Sequence, residues 1–253
     1  MPPTLVVTDT VSWMEFSDQV TLVGRTRARA SSRIVAVVPG YIIKINAAEG
    51  VPVRRGDTLV TLSRQSIDLI YQAKKAEARE AQAQAELAQQ NFKRAEELFA
   101  ENAIAESRLD SERATANAAR AHFEQLRAEE LNKKLDLDNC AIRTPLSGYT
   151  VRQLVDIGEW VNVGDPDFEV VDLSEIKITV NLPERHFGHL LVGSAVSVVV
   201  SGDKNTSISG VVTGIAPSAS EETHTFPVYV TVDNKDGRLG GGMLIRATLS
   251  LNK

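Results

Sequence analysis

Two hydrophobic rhythms alternate along the chain. Apolar residues recur at every second position in "QVTLVGRTRA", "SRIVAVV", "YIIKI", "DTLVTL", "YTVRQLV", "FEVVDL", "IKITVNL", "AVSVVV", "SISGVVTGI", "FPVYVTV" and "MLIRATLSL". These β-branched runs, bounded by Gly, Pro, Asp and Asn, have the length and period of strands. From Ser174 onward they follow one another at the close spacing of a small barrel or sandwich. In the centre the period changes. The positions Ile67, Tyr71, Lys74, Ala78, Ala81, Ala85, Ala88, Phe92, Ala95 and Phe99 advance by alternating steps of four and three, and nine of the ten are apolar or aromatic. That is a coiled-coil seam, and its alanines predict two helices lying close together.

The return arm carries a weaker seam, Leu109, Glu112, Ala116, Ala119, Phe123 and Leu126, which then shifts to Ala128, Leu131 and Leu135. The shift predicts imperfect register between the arms. Between them lies "AENAIAES", Ala100 to Ser107. There Asn102 suits the left-handed conformation that ends a helix, and Ser107 with Asp110 resembles an N-terminal cap. The arms, about 33 residues each, form a hairpin projecting roughly 50 Å. On its surface Glu129 with Lys133 and Glu130 with Lys134 have the four-residue spacing of helix-supporting ion pairs.

Composition sharpens the division. The chain has 16 Gly and 9 Pro in 253 residues, with none between Asp57 and Thr144, an interval rich in strong helix formers. The net charge of −5 and the absence of a basic cluster argue against a nucleic-acid partner or a polybasic membrane anchor. No apolar run reaches the roughly 20 residues that span a bilayer, and "MPPTLVVTDT" lacks the features of a signal peptide. Either the chain is cytosolic or a targeting segment has been removed. The lone Cys140 can form neither an internal disulfide nor a multi-thiolate metal site, and reads as a small buried residue at an element boundary.

The two strand-rich stretches flanking the helical zone repeat one another. "VVPGYIIKINAAEGVPVRRGDTLVTL" and "TPLSGYTVRQLVDIGEWVNVGDPDFEVV" align at an offset of 108 positions, setting Gly40 on Gly148, Tyr41 on Tyr149, Lys44 on Arg152, Gly50 on Gly158, Val53 on Val161, Gly56 on Gly164 and Asp57 on Asp165. The shared glycines predict turns. One such unit buries too little surface to fold alone. Two related by a pseudo-twofold close into a sandwich, with the hairpin emerging from neighbouring strands.

This pairing resembles the split lipoyl-like, or biotinyl-like, domain of the periplasmic adaptor proteins, also called membrane fusion proteins, of Gram-negative tripartite efflux pumps. "LDLDNCAIRTPLSG" resembles the family's re-entry from the hairpin, "IKITVNLPERHFGHLLVGSAVSVVV" the opening of its β-barrel domain, and "FPVYVTVDNKDGRLGGGMLIRATL" the closing strands of that barrel. The fold expected is mainly β with an α-helical hairpin: a lipoyl-like β-sandwich interrupted by a coiled coil, plus a small β-barrel. The expected divisions are 1–35 as N-terminal strands joining the barrel, 36–65 and 138–173 as the lipoyl halves, 66–137 as the hairpin and 174–253 as the barrel.

The resemblance also implies a site. Adaptors that dock on a TolC-type outer-membrane channel carry Arg, then Leu four residues on, then Ser seven further, around the hairpin tip. Here Arg94 and Leu98 keep that spacing, with Ala105 in place of the serine. Ile104, apolar in a turn that should be exposed, adds a contact. Without a partner, Arg94 is a solvated charge and Leu98 a residue flanking the seam.

Catalytic readings fare worse. A lipoyl or biotinyl carrier presents one modifiable lysine between its halves, and that junction is given over to the helical insertion. Lys44 lies within a strand-like run. His186 and His189 form an H-x-x-H without the additional ligands of a metal site. Trp13 and Trp160 read as packing residues, or for Trp160 a subunit contact. No enzymatic activity, cofactor or metal is expected.

What the resemblance implies is a periplasmic, inner-membrane-attached subunit of a resistance-nodulation-division type pump. Subunits would associate into a hexameric ring bridging an inner-membrane transporter to a TolC-type channel, in drug or metal resistance. An adaptor of an ATP-driven exporter or type I secretion system is the alternative, and a free-standing coiled-coil scaffold would leave the β repeats unexplained. The family's chain continues into a membrane-proximal domain, so a trimmed chain or an adaptor lacking that domain is expected. Gly241-Gly242-Met243 in place of the usual Pro-Gly-Met predicts a looser final turn.

Overall fold

The computed structural model describes residues 18–200 and 207–251. Trp13 and the chain ends at Met1 and Lys253 lie outside the described residues. The strands are β1 (Asp18–Val35), β2 (Gly40–Ile45), β3 (Pro52–Val53), β4 (Thr58–Leu62), β5 (Ala141–Arg143), β6 (Gly148–Gln153), β7 (Trp160–Val161), β8 (Pro166–Pro183), β9 (Ala195–Val200), β10 (Ser207–Ile215), β11 (Thr225–Asp233) and β12 (Leu244–Leu251). The helices α1 (Gln65–Ala100) and α2 (Glu106–Asn139) stand between β4 and β5, and a 3₁₀ segment spans Glu184–His189. The chain divides into two compact units, residues 1–31 with 172–253 and residues 32–171.

In the first unit the strands run in the order β1-β12-β9-β10-β11-β8, and β8 pairs back to β1 to close a six-stranded barrel. Closure removes the open edges that would otherwise invite a foreign strand. The period-two pattern sets its interior: Ile176, Ile178, Val180 and Leu182 of β8 face Val228, Val230 and Val232 of β11 and Ile245, Ala247 and Leu249 of β12 in one buried cluster. The final turn is hydrogen-bonded to β1. Thr26 N–H donates to Met243 O at 2.9 Å, Gly242 N–H to Thr26 O at 2.9 Å, and the Thr26 hydroxyl to Gly240 O at 2.7 Å.

Two sequence expectations of separate strands are corrected. "FEVVDL" and "IKITVNL" fall in one continuous strand, β8, and "QVTLVGRTRA" and the first four residues of "SRIVAVV" fall in β1, which ends at Val35. No Gly or Pro separates the members of either pair, so nothing interrupts the extended backbone.

In the second unit the repeat becomes symmetry of hydrogen bonding. Gly50 N–H donates to Thr150 O at 2.7 Å, and its mate Gly158 N–H to Ile42 O at 2.8 Å. Gly56 N–H donates to Thr144 O, and Gly164 N–H to Ala36 O, each at 2.9 Å. Each half lends its short strand to the other, with β2 pairing β7 and β3 pairing β6. Each half also breaks register at the same place, between Ile42 and Lys44 and between Thr150 and Arg152. Val60, Leu62, Phe168, Val170, Ile42 and Val161 fill the shared core. Neither half could bury these alone.

The glycines divide into two roles. Gly50, Gly56, Gly158 and Gly164 adopt φ between 78° and 92° in turns. Gly40 and Gly148, expected as turn residues too, instead open β2 and β6 and sit opposite Val161 and Val53.

β4 and β5 are hydrogen-bonded neighbours, which is why the helices leave and return side by side. Ala78, Ala81 and Ala95 of α1 and Leu109, Ala116 and Leu137 of α2 are the buried residues of the hairpin. The expected shift of the second seam is corrected. Leu131 and Leu135 are 55% and 57% exposed, and the inward face continues in step through Leu126, Glu130, Lys133 and Leu137. Charge is tolerated on that face because long side chains cover apolar surface with their stems and pair at their ends. Lys74 Nζ reaches Glu129 Oε2 at 3.1 Å across the hairpin, and Lys133 Nζ reaches Asp136 Oδ2 at 2.9 Å. These pairs replace the expected Glu129–Lys133 pair.

Candidate docking site at the hairpin tip

The tip is built by a helix stop. Asn102 takes φ 60°, its N–H donates to Phe99 O at 2.9 Å, and Ala103 N–H donates to Leu98 O at 2.8 Å. This pair of bonds is the Schellman motif, which satisfies carbonyls left open at the end of α1. Ala105, at φ −75° and ψ 151°, is the N-cap of α2 and makes no side-chain cap. The expected Ser107 cap is thus displaced: α2 begins at Glu106, Ser107 lies within its first turn, and Asp110 holds Arg113 at 3.2 Å. Burial of Leu109 in the seam sets the phase, and Glu106 suits the positive end of the helix.

This geometry gathers three of the four tip residues singled out in the sequence. Arg94, Leu98 and Ile104 line an open groove of about 270 Å³ with Asn91, Ala95, Arg108 and Glu112. Leu98 is 38% exposed and Ile104 half-buried, so the groove has an apolar floor open to solvent. Arg108 is tied to Glu112 at 2.6 Å, whereas Arg94 has no ion pair among the described residues. A free guanidinium beside apolar side chains offers planar donors to a protein partner. Ala105 is exposed beside the groove but is not among its lining residues.

A second surface lies at the hairpin base. Tyr41 and Trp160 meet edge to face at 4.8 Å, yet are 56% and 49% exposed. With Val37, Ile70, Lys133 and Asp136 they line a groove of about 550 Å³. The repeat accounts for the pair, since β2 and β7 are antiparallel partners with Tyr41 opposite Trp160 in the register.

The remaining candidates find structural places. Cys140 is buried at the C-cap of α2, its thiol donating to Asp136 O at 3.5 Å, and burial raises its pKa. His186 and His189 fall in the 3₁₀ segment, where Arg185 Nε donates to His186 Nε2 at 3.0 Å. Among the described residues no group of three His, Cys, Asp or Glu could hold a metal ion. No described helix is long and apolar enough to cross a membrane. Sequence reasoning passed over Asp167, a wholly buried carboxylate with no hydrogen-bond partner. The repeat contained the signal, because the same alignment sets Asp167 on Leu59.

A repeated half-sandwich split by a coiled coil and followed by a closed six-stranded barrel defines the architecture of membrane fusion proteins. The family model described as "CzcB-like, barrel-sandwich hybrid domain" matches residues 30–172, and "CusB-like, beta-barrel domain" matches residues 176–253. The chain belongs to this family of periplasmic adaptors of the resistance-nodulation-division type. The nodulation protein NolF of Rhizobium meliloti is 26% identical over 229 residues, covering 90% of this chain and 62% of NolF. The chain therefore spans less than two thirds of that relative. Among solved structures, the MacA-MexA chimeric protein containing the Pseudomonas aeruginosa MexA α-hairpin superposes with a TM-score of 0.67 at 21% identity, over 93% of this chain and 82% of that one. The membrane fusion protein Spr0693 of Streptococcus pneumoniae does so with 0.71 at 18% identity, over 92% and 99%. At these identities the likeness is one of fold.

Proposed function

We propose that this chain is the adaptor subunit of a tripartite efflux pump, bridging an inner-membrane transporter to a TolC-type outer-membrane channel and forming part of the export conduit. The observation that carries the reading is the tip groove, where Arg94, Leu98 and Ile104 converge at the far end of a helical pair roughly 50 Å long. Its work is mechanical: the tip docks on the channel and the barrel serves the transporter. Side-by-side copies form a hexameric ring in the periplasm. The exposed Tyr41–Trp160 face supports this assembly, since aromatic residues are enriched at the centres of protein interfaces.

The test is cysteine crosslinking in the native host from Ile104→Cys and Ala105→Cys, with Cys140 buried and silent. Adducts with an outer-membrane channel are expected. A pump that exports normally while both positions give no such adduct would overturn the docking reading.

A further inference from the structure

Asp167 is the second residue of β8 and is 0% exposed, with neither carboxylate oxygen hydrogen-bonded. Its repeat mate Leu59 is also 0% exposed. The backbone around them is the same: Asn46 N–H donates to Leu59 O at 2.8 Å, and Leu154 N–H to Asp167 O at 2.9 Å. The fold thus offers the same enclosed place twice, filled once by a leucine and once by a carboxyl group. A buried carboxylate without donors is costly, and the proton is the simplest remedy.

The charges nearby add to the cost. Asp165, just before β8, accepts the Asn162 backbone N–H at 2.9 Å, and Glu159, in the turn before β7, accepts the Asp156 N–H at 2.8 Å. Both are acidic. The paired strand β6 carries one charged residue, Arg152, which is exposed and stands opposite Glu169 in the register. Burial first, then Asp165 and Glu159, push the Asp167 pKa up to about 6.

We propose that Asp167 is a proton-responsive device within the sandwich: with its proton the start of β8 packs tightly, and without it the start of β8 and the adjoining turn 162–165 loosen. The folded chain holds the proton more firmly than the unfolded chain does. Its contribution to stability is therefore complete below the ordinary value of 3.8, falls as pH rises, and is lost above about 6. Acidification tightens the domain and neutrality relaxes it. Because Asp167 lies in the sandwich core and not at the tip, this inference stands apart from the docking reading.

The experiment is a carboxyl-carbon NMR titration of the full chain, with thermal unfolding from pH 4 to pH 8 for wild type, Asp167→Asn and Asp167→Leu. The carboxyl is expected to titrate near 6. The wild-type midpoint should fall between pH 4 and 6 relative to both variants, and the Leu154 amide should lose protection against hydrogen exchange at neutral pH only in wild type. If Asp167→Leu does not fold, Asp167→Asn and the wild-type titration still decide. A carboxyl titrating in the ordinary range, or an Asp167→Asn midpoint that follows pH as wild type does, would overturn the proposal.

Discussion

Lys74 Nζ lies 3.1 Å from Glu129 Oε2, the ion pair that joins the two arms of the hairpin, and 2.7 Å from Glu77 Oε2 on its own helix. Hydrogen bonds to the two glutamates raise the Lys74 pKa, and the bond from Lys74 foremost lowers that of Glu129. Lys74 occupies a seam position between Tyr71 and Ala78, where an apolar residue would also fit. The Glu129 contribution is present above the ordinary carboxylate range and lost as pH falls through its lowered value. Lys74→Met should therefore match wild type closely at neutral pH, because exposed pairs contribute little. Any wild-type advantage should vanish on acidification or in high salt. Paired thermal melts at neutral and acidic pH, with and without salt, check this.

Asn102 at φ 60° is the hinge on which the tip depends. In that conformation an ordinary L-residue loses roughly 1–2 kcal/mol, whereas glycine does not. Asn102→Ala should destabilise the hairpin by about 1 kcal/mol and Asn102→Gly should be neutral or mildly stabilising. Helical ellipticity followed through thermal unfolding distinguishes the two. If the tip docks a channel, Asn102→Ala should also weaken crosslinking from position 104, because the turn orients Ile104 toward Leu98.

The order of the modules was legible because three different periods mark them. Alternation gave the strands, steps of three and four gave the helices, and the 108-residue offset joined Gly50 to Gly158 as equivalent turns. The exit of the hairpin from adjacent strands followed from that symmetry and appears as the pairing of Val60 with Ile142. What misled was treating every apolar residue as inward. Leu131 and Leu135 suggested a slipped register, but the phase set by the buried Leu109, Ala116 and Leu137 runs unbroken along α2 and leaves those leucines exposed. A shared glycine can likewise serve packing as well as turning, so the repeat could not separate Gly40 from Gly50. At the tip the motif spacing pointed to Arg94 and Leu98, which the structure sets in one groove, whereas the start of α2 depended on the burial of Leu109, which no local cap residue announced.

Gly24 is where the barrel closes. A Cβ built there would lie 2.6 Å from Val180 Cγ1 and 2.7 Å from Thr179 O, on the strand that completes the ring with β1. The valine methyl can move, but the carbonyl belongs to the ladder and cannot. Gly24→Ala is expected to destabilise the protein by ~1–3 kcal/mol. Gly188→Ala, where an added Cβ meets nothing within 4 Å, should stay within about 0.5 kcal/mol. Denaturant midpoints for the two variants, compared with wild type, give the measurement.

The corrected register of α2 makes the sharpest separation. Leu137 is 9% exposed, one helical turn and two residues beyond Leu131, which is 55% exposed. Truncating a buried leucine removes its transfer free energy and leaves a cavity, so Leu137→Ala should cost about 2–4 kcal/mol. Truncating an exposed one removes little, so Leu131→Ala and Leu135→Ala should each fall within ~0.5 kcal/mol of wild type. A slipped seam would reverse the order, with Leu131 and Leu135 sensitive and Leu137 tolerant. Chemical denaturation of the three variants reads the phase of the helix directly.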